Sequence, residues 1–307
     1  MVAAAAESPR TLVVGASGFV GNYLVRELEN AGHEVVQANF PDFNLLNREQ
    51  VESLVQQTQF RYIVNLAAIS SVGASWNCPT DTMDVNVKGT LHLLEAVRKY
   101  SKGSKVLLIG SAEEYDSSVL ARENRVSLKE TDPLCANNPY GISKIAQENF
   151  ANLYRLRYGM NVVCTRSFNH TGVGQTENFV LPSFCKQVAD IEKTQKSGKI
   201  LVGNLDVWRD FSDVSDVVRV YRMLLEQENE FDVYNVGSGK IYHLKSLLED
   251  VILKFASVQI NVVVDSEKVR PVEIQRLCAD NSRVQKYWPG TDIVVTLRKM
   301  YDHFLNS

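Results

Sequence analysis

The chain has 307 residues, 45% hydrophobic and 22% charged, with a formal net charge of −3. That is ordinary globular composition, with length for a large core in one domain or two. Such a balance gives no electrostatic reason to expect nucleic acid or an anionic membrane as partner, so anionic ligands must be held by a few placed cations or by backbone amides.

Five cysteines, Cys78, Cys135, Cys164, Cys185 and Cys278, are odd in number and lack C-x-x-C spacing. No metal site or disulfide framework is expected from them. They read as buried small apolar residues in a reducing compartment, so a cytoplasmic location is expected. Met1 to Arg10 has an alanine run but no basic flank and does not read as a signal peptide. No apolar run reaches membrane-spanning length. Asn169-His170-Thr171 is formally a glycosylation sequon, a reading that is void in a cytosolic protein.

In chain order, strand-like and helix-like stretches alternate through the first half. Thr11–Val14 is a short apolar run ending in glycine, and Phe19–Ala31 has helical periodicity up to Gly32. His33–Ala38 predicts a second strand, Arg48–Gln57 a polar-faced helix and Tyr62–Ala67 a third strand. Asp81–Tyr100 predicts one long helix, Lys105–Gly110 a fourth strand, Tyr140–Tyr158 a helix and Asn161–Ser167 a strand. This alternation predicts an α/β fold with a doubly wound parallel sheet of Rossmann type. Past Ser167 the pattern is less regular, which predicts a smaller C-terminal substrate-binding region. Phe211–Leu225 predicts a helix returning to the first domain, Ile260–Val264 a strand and Val294–Leu305 a closing helix. The expected division is 1–166 with 210–236 for a dinucleotide, and 167–209 with 237–307 for the substrate.

Gly15-Ala16-Ser17-Gly18-Phe19-Val20-Gly21 lies between the first strand and the first helix. Glycine permits a sharp turn and close approach to a pyrophosphate, and the helix start offers free N–H groups. The spacing is G-x-x-G-x-x-G. A glycine triplet alone is a weak signal; its placement between strand and helix is what makes it a cofactor loop. At the end of the second strand stands Asn39 rather than an acid. No carboxylate is there to repel a 2′-phosphate, so NADP(H) is expected over NAD(H), with Asp42 close enough to weaken the argument.

Tyr140-Gly141-Ile142-Ser143-Lys144 is the central motif. Residues four apart share a helix face, so Tyr140 and Lys144 point together. Asn137, Asn138 and Pro139 supply the helix start. A tyrosine with pKa near ~10 is a poor acid–base group, and a neighbouring ammonium is expected to lower that value. In isolation the motif would read as a surface pair; its place after a glycine loop and a fourth strand favours catalysis. Ser111 ends that strand, on the edge where open α/β sheets bind ligands. Its hydroxyl can hydrogen-bond a reacting oxygen, though a turn serine is the other reading. Glu113 and Glu114 are read equally as a second acid/base or as solvated loop carboxylates. Asn86 either shapes its helix through backbone hydrogen bonds or faces solvent.

These residues resemble the extended short-chain dehydrogenase/reductases acting on nucleotide sugars. The resemblance runs over nearly the whole chain: the glycine loop, Asn65-Leu66-Ala67-Ala68, Ser111, Tyr140 with Lys144, and Ser167-Phe168-Asn169-His170-Thr171-Gly172. Gly172-Val173-Gly174-Gln175, Asn178-Phe179-Val180 and Val202–Phe211 look most like the GDP-mannose branch of 4,6-dehydratases and 4-keto-6-deoxy-sugar reductases, and more like the reductases. The resemblance implies a cofactor pocket that includes Asn44, Leu45, Leu66, Ala67 and Ala68. It places Asn169 on the substrate diphosphate, Asn178 and Phe179 by the nucleotide, Arg209 and Arg270 on diphosphate or ribose, and Glu273 on the ribose. It implies a homodimer. Ser167 stands where the family usually has proline, and Asn44 departs from an Asp-Leu-like cofactor position. The implied reaction is reduction of the 4-keto group of a GDP-4-keto-6-deoxy-hexose through Ser111, Tyr140 and Lys144. A 4,6-dehydratase is the rival, because Glu113 occupies the position of its carboxylate base; an epimerase and a non-catalytic nucleotide-sugar sensor follow.

Overall fold

Apolar runs too short for helices pair into a six-stranded sheet in this computed structural model, which describes residues 8–268 and 274–307. The strands are β1 (Arg10–Val14), β2 (Glu34–Ala38), β3 (Tyr62–Asn65), β4 (Lys105–Ser111), β5 (Val162–Ser167) and a last strand, Val233–Val236. Their order is β2-β1-β3-β4-β5, then Val233–Val236. All pairings from β2 through β5 are parallel. Ile63, Val64, Val106, Leu107 and Leu108 are wholly inaccessible, as inner strands covered on both faces must be. The chain leaves β1 on one side to form β2 and on the other to form β3. The crevice beyond the carboxyl ends of β1 and β3 is therefore the topological switch point, where such sheets bind ligands. The doubly wound, Rossmann-type sheet expected from the alternation is the one observed.

Helix Phe19–Asn30 buries Gly21, Leu24, Val25 and Leu28, a stripe at helical spacing. The apolar core gathers Leu12, Val14, Ile63, Leu93, Leu94, Val97, Val106, Leu108 and Val162. Two expected elements differ. The single helix expected over Asp81–Tyr100 is interrupted: helix Pro79–Met83 runs into a widened π turn, Asp84–Lys88, before helix Gly89–Tyr100. The π turn brings the Asn86 side chain inward, where its amide is wholly buried. The helix expected over Phe211–Leu225 begins only at Val214. Phe211, Ser212 and Asp213 belong instead to strand Trp208–Asp213, which pairs with Asn169–Thr171.

By compactness the chain divides into two units. One holds the residues up to Asp116 with Asp132–Ser167 and Val218–Asn235; the other holds Ser117–Thr131, Phe168–Val217 and Val236–Ser307. Against the expected boundaries, residues 117–131 and 210–217 group with the second unit. Pairing explains both. Strand Trp208–Asp213 is bonded to Ile241–His243, and the Leu128 N–H donates to the Cys278 carbonyl. The second unit is built on a small sheet of Ile241–His243, Trp208–Asp213 and Arg276–Leu277, with Asn169–Thr171 alongside. A second pair, Gly198–Val202 with Ile260–Val264, is parallel. Its core includes Leu181, Phe184, Val188, Ile200, Leu248, Leu297 and Tyr301. Among the described residues no helix is long and apolar enough to cross a membrane.

Candidate active site

At the carboxyl end of β1 the backbone turns through Gly15 at φ +81°, a conformation that favours glycine. A Cβ on Gly15 would stand 2.9 Å from the Ala67 nitrogen, so the glycine loop lies directly against the turn after β3. A Cβ on Gly21 would stand 2.4 Å from the Ala16 carbonyl oxygen and 2.5 Å from that of Gly15. Side chains here would fill the cradle. Helix Phe19–Asn30 starts at Gly18, which has no side chain to close its end, and its first turn carries no acid. The positive end of this helix is thus left open to an anion. The Ser17 N–H donates to Asn39 Oδ1 at 2.7 Å, tying the end of β2 to the loop. Asn65 Oδ1 accepts from the Ala67 N–H at 3.2 Å and shapes the Leu66-Ala67-Ala68 turn. This cradle fits the diphosphate of a nicotinamide dinucleotide.

Asn44 and Leu45 have local work of their own. Asn44 Oδ1 accepts from the Leu46 N–H at 2.9 Å. Leu45 is buried, and it would stand 2.8 Å from a Cβ on Gly89.

Helix Pro139–Tyr158 starts with Asn138, whose Oδ1 accepts from the Gly141 N–H at 2.8 Å, and has Pro139 in its first turn. It ends at Gly159 in the left-handed conformation. Its buried stripe reads Tyr140, Gly141, Ser143, Lys144, Gln147, Ala151. An ordinary core-facing stripe is apolar, and a lysine is seldom buried without partners. Tyr140 is 9% exposed and Lys144 3%. The Lys144 Nζ lies 5.8 Å from the centre of the Tyr140 ring. It donates to the Ile109 carbonyl at 2.7 Å and to Gln147 Oε1 at 3.2 Å. The Ser111 hydroxyl, at the carboxyl end of β4, lies close enough to the Tyr140 phenol to favour its ionised form. The structure thus brings Ser111, Tyr140 and Lys144 together.

The electrostatics correct one expectation. Burial raises the Tyr140 pKa above its ordinary value; the nearby Ser111 hydroxyl opposes that rise, and Glu114 and Glu113 add to it. Burial likewise pushes Lys144 down, to about 8, with Glu114 pulling the other way. The expected lowering of Tyr140 by Lys144 is overturned because desolvation disfavours both charged forms. The phenol is therefore a proton-loaded acid.

The two carboxylates beyond Ser111 part company. Glu113 is half-buried, and its Oε2 accepts from Asn138 Nδ2 at 2.9 Å. Glu114 has no accessible surface, and its Oε1 accepts from the Ser111 N–H at 2.6 Å. The solvated-loop reading fails for Glu114. Asn86 does not face solvent: Oδ1 accepts from the Ile69 N–H at 2.9 Å, and Nδ2 donates to Ser143 Oγ at 2.9 Å. It joins the turn after β3 to the helix that carries Tyr140. Gln147, a partner of Lys144, went unremarked in the sequence; its signal is its place seven residues after Tyr140, on the same helix face.

In the second unit, Asn169 opens the strand that pairs with Trp208–Asp213, in register with Phe211, two residues after Arg209. Arg209 Nη1 donates to the Trp208 carbonyl at 3.0 Å. Asn178 and Phe179 are exposed just before helix Val180–Thr194, whose start has no side-chain cap. Arg270 and Glu273 lie outside the described residues.

The comparisons agree with this geometry. The family profile described as GDP-mannose 4,6 dehydratase matches residues 37–289. A GDP-6-deoxy-D-mannose reductase of Pseudomonas aeruginosa is 30% identical over 276 residues, 90% of this chain and 89% of the relative. GDP-mannose 4,6 dehydratase 1 of Arabidopsis thaliana is 31% identical over 232 residues, 73% of this chain and 61% of the relative. The solved structure of RMD from Pseudomonas aeruginosa, complexed with NADPH, superposes with a TM-score of 0.88 at 29% identity, covering 97% of this chain and 99% of that one. The chain belongs to the GDP-mannose 4,6 dehydratase family, within the extended short-chain dehydrogenase/reductases that act on nucleotide sugars.

Proposed function

We propose that this enzyme reduces the 4-keto group of a GDP-4-keto-6-deoxy-hexose with NADPH. The observation that carries the reading is the buried Tyr140–Lys144 pair with Ser111 beside the phenol. Reduction of a ketone needs an acid that still holds its proton, and burial keeps the Tyr140 phenol protonated. The reduced nicotinamide, when bound, supplies the hydride to the carbonyl carbon. Tyr140 gives its proton to the carbonyl oxygen as negative charge develops there. The Ser111 hydroxyl hydrogen-bonds that oxygen, and the Lys144 ammonium stabilises the phenolate left behind. Lys144 is held in place by Ile109 and Gln147.

Two sets of residues divide the binding. Gly15, Ser17, Gly18, Phe19, Val20, Gly21, Asn39, Asn44, Leu45, Leu66, Ala67 and Ala68 hold the dinucleotide, with Tyr140 and Lys144 at its nicotinamide ribose. Asn169, Asn178, Phe179 and Arg209 hold the nucleotide sugar, along with Arg270 and Glu273. NADPH is preferred because Asn39, not a carboxylate, ends β2 and meets the loop. The related RMD structure was obtained with NADPH, which supports that choice. We place the enzyme in the cytoplasm, in line with five unpaired cysteines. We assign it as a homodimer through helix Pro139–Tyr158, where Ile142, Leu153 and Leu156 are 50%, 56% and 78% exposed.

A GDP-mannose 4,6-dehydratase is the second reading, favoured by the Glu113 carboxylate, which accepts from the Asn138 amide that caps the same helix. It needs Tyr140 to begin as a base. Two assays decide. The 4-keto-6-deoxy sugar with NADPH should oxidise the reduced cofactor, followed by absorbance, whereas GDP-mannose without added cofactor should give no 4-keto product. Turnover in the second assay alone would replace the reductase reading with the dehydratase.

A further inference from the structure

Glu114 is a buried acid that the proposed reaction does not use. It lies under the end of β4, and Gly110 makes room for it: a Cβ there would stand 2.5 Å from Glu114 Oε1. That oxygen accepts from the Ser111 N–H at 2.6 Å, and Ser111 Oγ in turn accepts from the Glu113 N–H at 3.2 Å. This reciprocal pair is a capping box closing one turn of three residues, Ala112–Glu114. Capping boxes ordinarily keep their carboxylates in water; this one is wholly buried, and Glu114 Oε2 has no hydrogen-bond partner. So short a turn does not need a buried carboxylate, which is costly to desolvate. What the carboxyl group touches is the main chain of the serine beside Tyr140.

We propose that Glu114 is a positioning residue for Ser111: its buried carboxyl group holds the Ser111 amide and so keeps Ser111 in place beside the Tyr140 phenol. Glu114 also couples electrostatically to the site. The Arg166–Glu148 ion pair, at 2.6 Å, acts on it from β5 and from helix Pro139–Tyr158. Lys144 and Tyr140 on that helix and Cys164 on β5 feel its charge. Burial and Glu148 raise the Glu114 pKa; the Ser111 N–H, Arg166 and Lys144 lower it.

The kinetic arm of the test rests on the reductase reading; the amide-proton arm does not. Glu114→Gln keeps an acceptor for Ser111 and is expected to hold kcat within about threefold of the parent. Glu114→Leu removes the acceptor and is expected to lower kcat by about tenfold or more at an unchanged KM. NADPH binding and thermal unfolding report whether each variant folds, and Glu114→Asp, one methylene short, replaces the leucine variant if that one does not. Separately, amide NMR should find the Ser111 N–H proton well downfield in the parent and in Glu114→Gln, and moved upfield in Glu114→Leu. Parent-like kcat in Glu114→Leu, equal damage in the Gln and Leu variants, or an unmoved Ser111 amide proton in Glu114→Leu overturns the proposal. If the parent reduces no nucleotide sugar, the reductase reading fails on its own, and the Ser111 amide proton alone decides on Glu114.

Discussion

Two helices begin beside the sheet's ligand-binding edge, and they begin in opposite ways. Helix Phe19–Asn30 starts at a glycine with no side-chain cap, while helix Pro139–Tyr158 is closed by the Asn138 amide and Pro139. The first leaves its polar end to a ligand. The second satisfies its own end and works through its flank, with Tyr140 and Lys144 four residues apart. An open helix end suits binding an anion, and a closed one suits holding side chains still for chemistry. The contrast implies separable losses, of binding from the first helix and of turnover from the second.

Tyr140→Phe should break the chemistry alone. Loss of the proton donor is expected to lower kcat about a thousandfold, with NADPH affinity by fluorescence titration little changed. A comparable loss of NADPH binding would collapse the distinction between the two helices. Gly21→Val should do the reverse, because its Cβ would meet the Gly15 and Ala16 carbonyl oxygens. A rise in the NADPH Kd of about a hundredfold, near 2.7 kcal/mol, is expected, with the fold retained by circular dichroism.

The pH profile sharpens the comparison. Lys144, with its pKa lowered to about 8, is charged below that pH and neutral above it. The raised Tyr140 phenol keeps its proton across the same range. The rate of reduction, as kcat/KM, should therefore fall above about pH 8, approaching tenfold per pH unit. A fall with decreasing pH instead would mean that a base, not an acid, limits the reaction. The smallest effect is expected from Asn138→Ala, which removes the cap and the partner of Glu113. It should cost about 1 kcal/mol in urea unfolding, while leaving NADPH affinity unchanged.

The inner strands were legible almost to the residue, because strands buried on both faces appear as apolar runs between turns. The glycine loop and the Tyr140–Lys144 face were legible because spacing alone sets them. What escaped depends on contacts distant in sequence. The π turn at Asp84–Lys88 accompanies an Asn86 amide that meets Ile69 and Ser143. The strand character of Phe211–Asp213 comes from pairing with Asn169–Thr171. Glu114, read equally as an acid/base or as a solvated loop carboxylate, is buried through its contact with Gly110, which spacing does not show. The direction of the Tyr140 shift is set first by desolvation, which the four-residue spacing to Lys144 does not carry.

The widened turn at Asp84–Lys88 also constrains how this chain can be altered. Deleting one residue there to restore a regular helix would rotate everything beyond it by roughly 100°. Leu93, Leu94 and Val97, now fully buried, would swing out of the core, and Asn86 would lose Ile69 and Ser143. The irregular turn thus works as a phase correction, and a one-residue deletion at this point should do more harm than substituting any single side chain within it.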